Sequence, residues 1–335
     1  MRALKWLLAL VTILGLAAAS LFVSLSQPYA AFDKTVFVTF ERGTESRGMA
    51  MMLESAGVIQ HSWHFLAARA LNPGAKLQAG EYHFDTAASP LDVFRRISRG
   101  DVYRFEFTAP EGSNMFDIAN LLDTQGILPG EDFLKAAGDA SLIRDLAPKA
   151  KTLEGYLFPS TYQMTHATTA RDLVKAMTQE FRKHWKQLSG GADAHSMVTL
   201  ASLIEKETGS PNERALVASV FANRLDRGMK LECDPTTIYA ALLDHRYKGK
   251  IHRSDLDSGN PYNTYRHEGL PPGPIANPGA ASLAAALHPA ETKYIFFVAK
   301  PGGGGHHFSA TLAEHSRAVA EYRAGVTHAK AANRH

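Results

Sequence analysis

The stretch from Trp6 to Leu25 carries no charged residue, and it constrains the chain more than any other feature. At a helical rise of ~1.5 Å per residue, a segment of that length crosses a hydrocarbon core of ~30 Å. Arg2 and Lys5 precede it. The expected arrangement is therefore a short cytoplasmic tail over 1–5, a single transmembrane helix over 6–25, and an exported remainder. The competing reading is a cleaved signal peptide, since Ala17-Ala18-Ala19 offers a small-residue cleavage site. Apolar residues continue past that site through Leu21, Phe22, Val23 and Leu25, which favours an uncleaved anchor. Nothing in the span offers the polar face of a helix buried in a soluble core. No other segment of the sequence is long and apolar enough to span.

The remainder has the makeup of a globular protein. Of 335 residues, 45% are hydrophobic and 21% charged, enough to build more than one core. The net charge of +3 comes without any Lys/Arg block, so the chain carries no nucleic-acid-binding arm. Cys233 stands alone, which excludes an intrachain disulfide and a metal site built on cysteines.

Two stretches repeat each other. Thr39-Phe40-Glu41-Arg42-Gly43, Met49 to Leu53 and Ala56-Gly57-Val58-Ile59 match Thr108-Ala109-Pro110-Glu111-Gly112, Ile118 to Leu122 and Gln125-Gly126-Ile127-Leu128. Each unit reads as a strand, a glycine turn, an amphipathic helix and a glycine stop. Val36, Val38 and Phe40 alternate as a half-buried strand does, and so do Tyr103, Phe105 and Phe107. Gly80 to Phe84 reads as a further strand, and Pro90 to Ile97 as a helix opened by Ser89. Small βα units of this kind bind ligands or serve as spacers, and the pattern leaves both open. A soft boundary falls between Ala147 and Lys151.

The chemistry concentrates further on. In Ser196 to Thr208, Met197, Leu200, Ala201 and Ile204 form one apolar helical stripe, and Glu205 interrupts it. Lys206 and Glu207 lie off the stripe and are expected in solvent. Glu205 falls near the C-terminal end of its helix on the core-facing side. Burial and the negative end of the helix dipole both disfavour a carboxylate there, which is what a general acid needs. The alternative is a structural glutamate paired to Arg214 or Arg224. The next helix is expected to open with Ser210 as cap, Pro211 in the first turn and Glu213 completing a capping box. Asp234 before Pro235 reads as the cap of a helix starting at Thr236, or as a second catalytic carboxylate. The irregular segment with Tyr262, Asn263, Tyr265 and the prolines to Pro278 reads as a cleft wall, because tyrosine faces stack on sugar rings and asparagine amides both donate and accept. Lys293 to Ala299 reads as a buried strand. His306 and His307 are adjacent on a strand and so face opposite ways, which argues against a metal site.

These runs resemble the endolytic murein transglycosylase, or YceG-like, family. The resemblance rests on Leu203 to Thr208, Val217 to Leu225, Gly228 to Leu231, Asp234-Pro235-Thr236, Leu153 to Pro159, Tyr262 to Tyr265, Gly269 to Ile275, His288-Pro289 and Gly305 to Phe308, and it covers nearly the whole chain. It implies an α+β chain with an N-terminal transmembrane helix, a small LysM-like βα subdomain over 35–104, a second βα unit over 105–150, and a mixed α+β catalytic domain over 151–330. It implies Glu205 as the single catalytic residue, with Tyr156, Asp234, Thr236, Tyr262, Asn263 and Tyr265 toward the substrate, and neither metal nor cofactor. The implied reaction cuts the MurNAc–GlcNAc bond inside peptidoglycan strands and closes a 1,6-anhydro ring. The implied place is the inner membrane, with the catalytic domain outside the cytoplasm, beside peptidoglycan synthases and away from nucleic acid. Two departures stand out: Ser160 where the family usually has Asp, and Glu232-Cys233 before Asp234. A hydrolytic muramidase using Asp234 or Glu154, and a non-catalytic glycan-binding scaffold, are the readings to set against it.

Overall fold

The structure is a computed structural model and describes residues 2–188 and 191–332. Met1 of the expected tail, and positions 189 and 190 of the expected catalytic region, lie outside them. The first helix, α1 (Arg2–Ser26), contains the span Leu4–Ser26, which among the described residues is the only helix long and apolar enough to cross a membrane. At ~1.5 Å per residue its 23 residues extend about 34 Å.

The chain divides into two compact units, one of 1–105 with 163–167 and one of 106–162 with 168–335. The soft boundary expected near 147–151 falls inside the second.

In the first unit the order is β1 (Val36–Phe40), α2 (Ser46–Ser55), α3 (Ser62–Leu71), β2 (Gly80–Phe84) and α4 (Pro90–Arg99). β1 and β2 pair antiparallel, with Val36 opposite Phe84 and Phe40 opposite Gly80. Alternation puts Val38, Phe40, Tyr82 and Phe84 inside, where Leu53, Phe65, Val93, Phe94 and Ile97 meet them. α4 shows why its ends fall where they do. Ser89 accepts the Asp92 amide, Pro90 needs no partner in the first turn, and Gly100 closes the helix in the left-handed region.

The chain leaves this unit along β3 (Phe105–Thr108) and returns to it along β4 (Thr161–Met164), and the two strands pair. The second unit continues with α5 (Met115–Thr124) and α6 (Gly130–Ala137), the second copy of the repeat. The matched glycines agree in conformation: Gly57 and Gly126, each following the helix of its repeat, have φ of 70° and 65°. Then come α7 (Ala170–Leu188), α8 (Ala194–Glu207), α9 (Arg214–Asp226), α10 (Asp234–Leu243), α11 (Arg253–Leu256) and α12 (Ala280–Leu287). A hairpin of β5 (Phe296–Ala299) and β6 (His306–Ser309) follows, packed against α13 (Leu312–Ala332), which the sequence reading did not anticipate. β5 is half-buried rather than fully buried, since it pairs only with β6.

Two helix starts differ from expectation. α9 begins at Arg214, because the Glu213 carboxylate is held by the backbone amide and Nδ1 of His306, at 2.7 and 2.9 Å, instead of closing a capping box. α10 begins at Asp234 with Cys233 as its cap residue, two residues before the expected Thr236. His306 is half-buried and His307 exposed, on opposite faces of β6, and no metal-binding cluster occurs among the described residues.

Candidate active site

α8 is the helix around which the site is built. Asp193 fixes its start by accepting the His195 amide and the Ser196 hydroxyl. Every residue from Val198 to Ile204 is buried, and α9 and α12 pack against the helix. The proline-rich segment from Gly269 to Pro278 is held in place on it. His195 Nε2 lies 2.9 Å from the Pro272 carbonyl, its Nδ1 lies 3.1 Å from the Tyr156 hydroxyl, and the Ile275 amide donates to Ser202 Oγ.

The two glutamates at the end of α8 differ in surroundings. Residues two apart on an α-helix point ~200° away from each other. Glu205 faces inward as the stripe predicts, its side chain 6% exposed. The Gly279 amide at the start of α12 donates to its Oε2 at 2.9 Å, and the Arg214 guanidinium lies 3.6 Å from its Oε1. Gly112 packs on its stem, and the Glu111 carboxylate covers Gly279 so closely that a Cβ there would lie 2.1 Å from Oε1. Of the two arginines considered, Arg214 is thus the partner. Arg224 instead donates to the carbonyls of Ile295, Lys230 and Leu231.

Glu207, expected in solvent, is half-buried and lines a cavity of about 250 Å³. Cys233, Asp234, Tyr265, Arg224 and His315 share its walls, with Phe221 and Phe297 as apolar lining. The Cys233 thiol donates to Glu207 Oε1 at 3.0 Å, and the Tyr265 hydroxyl donates to Asp234 Oδ1 at 2.6 Å. Burial raises the pKa of the Glu207 carboxyl; the Cys233 hydrogen bond opposes the rise, and the nearby Asp234 charge adds to it. Glu232, beside Cys233, has φ of 51°, a left-handed conformation held by Arg224 on the preceding carbonyls. Backbone strain of this kind, of order 1 kcal/mol, gathers where a site over-determines its loops.

The third carboxyl is the one a hydrolytic muramidase would use. Glu154, 2% exposed, accepts from the Met115 amide and the Tyr239 hydroxyl at Oε2 and from Asn277 Nδ2 at Oε1. Burial raises its pKa to about 7. Asn277 itself was missed. Its Oδ1 accepts the amides of Gly155 and Leu157, and its Nδ2 also donates to the Ser113 carbonyl, so one side chain ties three loops together. The only hint in the sequence was its place between Ala276 and Pro278 in the proline-rich run.

The expected substrate-facing residues divide into three groups. Asp234 and Tyr265 line the cavity with Glu207. Tyr262 is half-buried, its ring 5.2 Å from that of Tyr239, and burial lifts its hydroxyl pKa to about 12. Tyr156, Thr236 and Asn263 are fully buried and do not face a cleft. Tyr156 is held by His195. Thr236 joins the Cys233 carbonyl to Thr264. Asn263 donates to the carbonyls of Asp255, Leu256 and Ser258 and so closes its own loop. Periodicity cannot distinguish a polar side chain that caps a loop from one that reaches a ligand.

Comparison with known proteins agrees with the motifs. The YceG-like family pattern matches residues 38–321. An endolytic murein transglycosylase of Bacillus subtilis (strain 168) is 32% identical over 321 residues, covering 89% of this chain and 88% of that one. An endolytic murein transglycosylase of Streptococcus pneumoniae (D39) is 27% identical over 86% of this chain, which spans 58% of that longer protein. A crystal structure of a yceG-like protein from Listeria monocytogenes superposes with a TM-score of 0.55 at 31% identity, over 85% of this chain and 99% of that one. The chain belongs to the YceG-like family.

Proposed function

We propose that this chain is a membrane-anchored endolytic murein transglycosylase, and that Glu207 rather than Glu205 handles the proton. The carrying observation is that the Glu207 carboxyl, its pKa raised by burial, lines an open cavity with Asp234 and Tyr265. Glu205 instead accepts from Gly279 and meets the Arg214 guanidinium.

In this reading protonated Glu207 donates to the glycosidic oxygen between MurNAc and GlcNAc as the C1–O bond breaks. The carboxylate left behind takes the proton from the MurNAc C6 hydroxyl, whose oxygen attacks C1 and closes the 1,6-anhydro ring. The nucleophile belongs to the substrate, so its effective concentration is high and no second catalytic carboxylate is required. Cys233 holds one oxygen of the carboxyl, and the Tyr265–Asp234 pair forms a polar wall against which hydroxyls can bond.

The β1-α2-α3-β2 order of the first unit supports a LysM-like glycan-holding role. The apolar α1 and the basic residues before it support a single-pass inner-membrane anchor, with the enzyme outside the cytoplasm near synthases and nascent strands. A second reading keeps Glu205 as the acid, favoured by its nearly buried side chain on the inward face of α8, 6% exposed. The test is mass spectrometry of murein digested by the native protein, Glu205→Gln and Glu207→Gln. Anhydro products that vanish only in Glu207→Gln support the first reading. Products that vanish only in Glu205→Gln support the second. Reducing ends from the native protein would mean a hydrolase, and unshortened strands a scaffold.

A further inference from the structure

We propose that the first unit docks on the bilayer surface, with the indole of Trp63 at the level of the lipid headgroups. The inference rests on reading α1 as the membrane-crossing helix. Phe22 and Val23 are the last strongly exposed apolar residues of α1, at 65% and 53%. The very next residues already belong to the folded unit. Ser24 Oγ lies 2.9 Å from His64 Nε2 on α3, and Leu25 is completely buried. A few residues later Tyr29 and Ala88 exchange backbone hydrogen bonds, which ties the chain to the approach to α4.

No linker therefore separates the lipid-facing surface of α1 from the unit. One helical turn rises only ~5.4 Å, so whatever touches Ser24 sits at the edge of the hydrocarbon. His64 does. Trp63 adjoins it, with its ring 4.0 Å from the His64 ring, and is 47% exposed. A half-exposed indole, apolar in body with one N–H, suits the interfacial layer where tryptophans gather. The continuity of α1 into the unit is what selects the bilayer as the occupant of this face.

The test uses the full-length protein in phosphatidylcholine–phosphatidylglycerol vesicles carrying a nitroxide quencher either at the headgroup or at mid-chain. The chain has three tryptophans, Trp6, Trp63 and Trp185. Native protein, Trp63→Phe and Trp6→Phe are compared, leaving the core Trp185 untouched. The expected result is that Trp63→Phe removes about half of the headgroup-label quenching and little of the mid-chain quenching, with Trp6 supplying the rest from the other interface. Quenching unchanged in Trp63→Phe but reduced in Trp6→Phe would overturn the docking while leaving the anchor intact. Absence of quenching in all three would overturn the anchor reading itself. If another protein rather than lipid covers this face, Trp63 in the purified vesicles stays open to aqueous iodide, and that result also counts against the proposal.

Discussion

Replacing Glu154 by glutamine should change how the stability of the second unit depends on pH. Glu154 titrates near 7 in the folded chain, against an ordinary 4.5, because burial disfavours its charge. The native state thus holds the proton more tightly than the unfolded chain does. The stability this confers is full below pH 4.5 and is lost as pH rises through about 7. The difference corresponds to roughly 3 kcal/mol. Glutamine cannot ionise, so Glu154→Gln should lack this slope. It carries a pH-independent penalty of about 1–3 kcal/mol, since one amide face must now meet the Nδ2 donor of Asn277. Between pH 5 and pH 8 the native protein should therefore lose about 2.5 kcal/mol relative to the variant, which closes or reverses the gap. Urea unfolding of the detergent-solubilised protein measures this, read by Trp185, which is buried in the same unit. Parallel curves for native and variant at every pH would refute the reasoning. They would mean that the three donors of Met115, Tyr239 and Asn277 keep the carboxylate charged despite its burial.

Asn277→Ala strips partners from the amides of Gly155 and Leu157, the Ser113 carbonyl and Glu154, and should cost at least about 3 kcal/mol in the same unfolding assay. Gly155→Ala should destabilise by more than about 2 kcal/mol, because φ there is 86° and a Cβ would lie 2.4 Å from Pro274; thermal unfolding reads it. Cys233 lowers the Glu207 pKa through its hydrogen bond, so Cys233→Ala should move the high-pH limb of the activity profile upward. Cys233→Ser, with a stronger donor, should move it downward, and kcat/KM against pH separates the two.

The sequence shows the elements of the fold more clearly than it shows the site. Val36, Val38 and Phe40 announce β1, Ser89-Pro90 announces α4, and the repeat gave the order of β1–α2 and β3–α5, because each signal lies within a dozen residues. The position of α8 was equally clear from Met197, Leu200, Ala201 and Ile204. What surrounds its end was not. Gly279 and Gly112 reach Glu205, and Cys233 reaches Glu207, from segments far apart in the chain. The stripe shows that Glu205 faces inward, and an inward carboxyl is what a general acid needs. It did not show that inward meant a guanidinium and an amide, or that Glu207 meets a cavity instead of solvent.

That geometry assigns the two carboxyls opposite energetic signs. Glu205 and Arg214 are both nearly buried, at 6% and 11% side-chain exposure, so removing the charge of one leaves the other uncompensated. Glu205→Gln should cost about 3 kcal/mol while the Gly279 amide still finds an acceptor. Loss of activity in that variant should follow its loss of fold and recover when the protein is stabilised by lower temperature. Glu207 works the other way. Burial disfavours its charge, so Glu207→Gln should leave stability unchanged or raise it while reducing turnover at least about 100-fold. A residue whose removal stabilises the fold and stops the reaction is kept for chemistry. If instead Glu207→Gln unfolds the protein and Glu205→Gln is stable but inactive, the roles are reversed and the cavity beside Cys233 is not where the bond breaks.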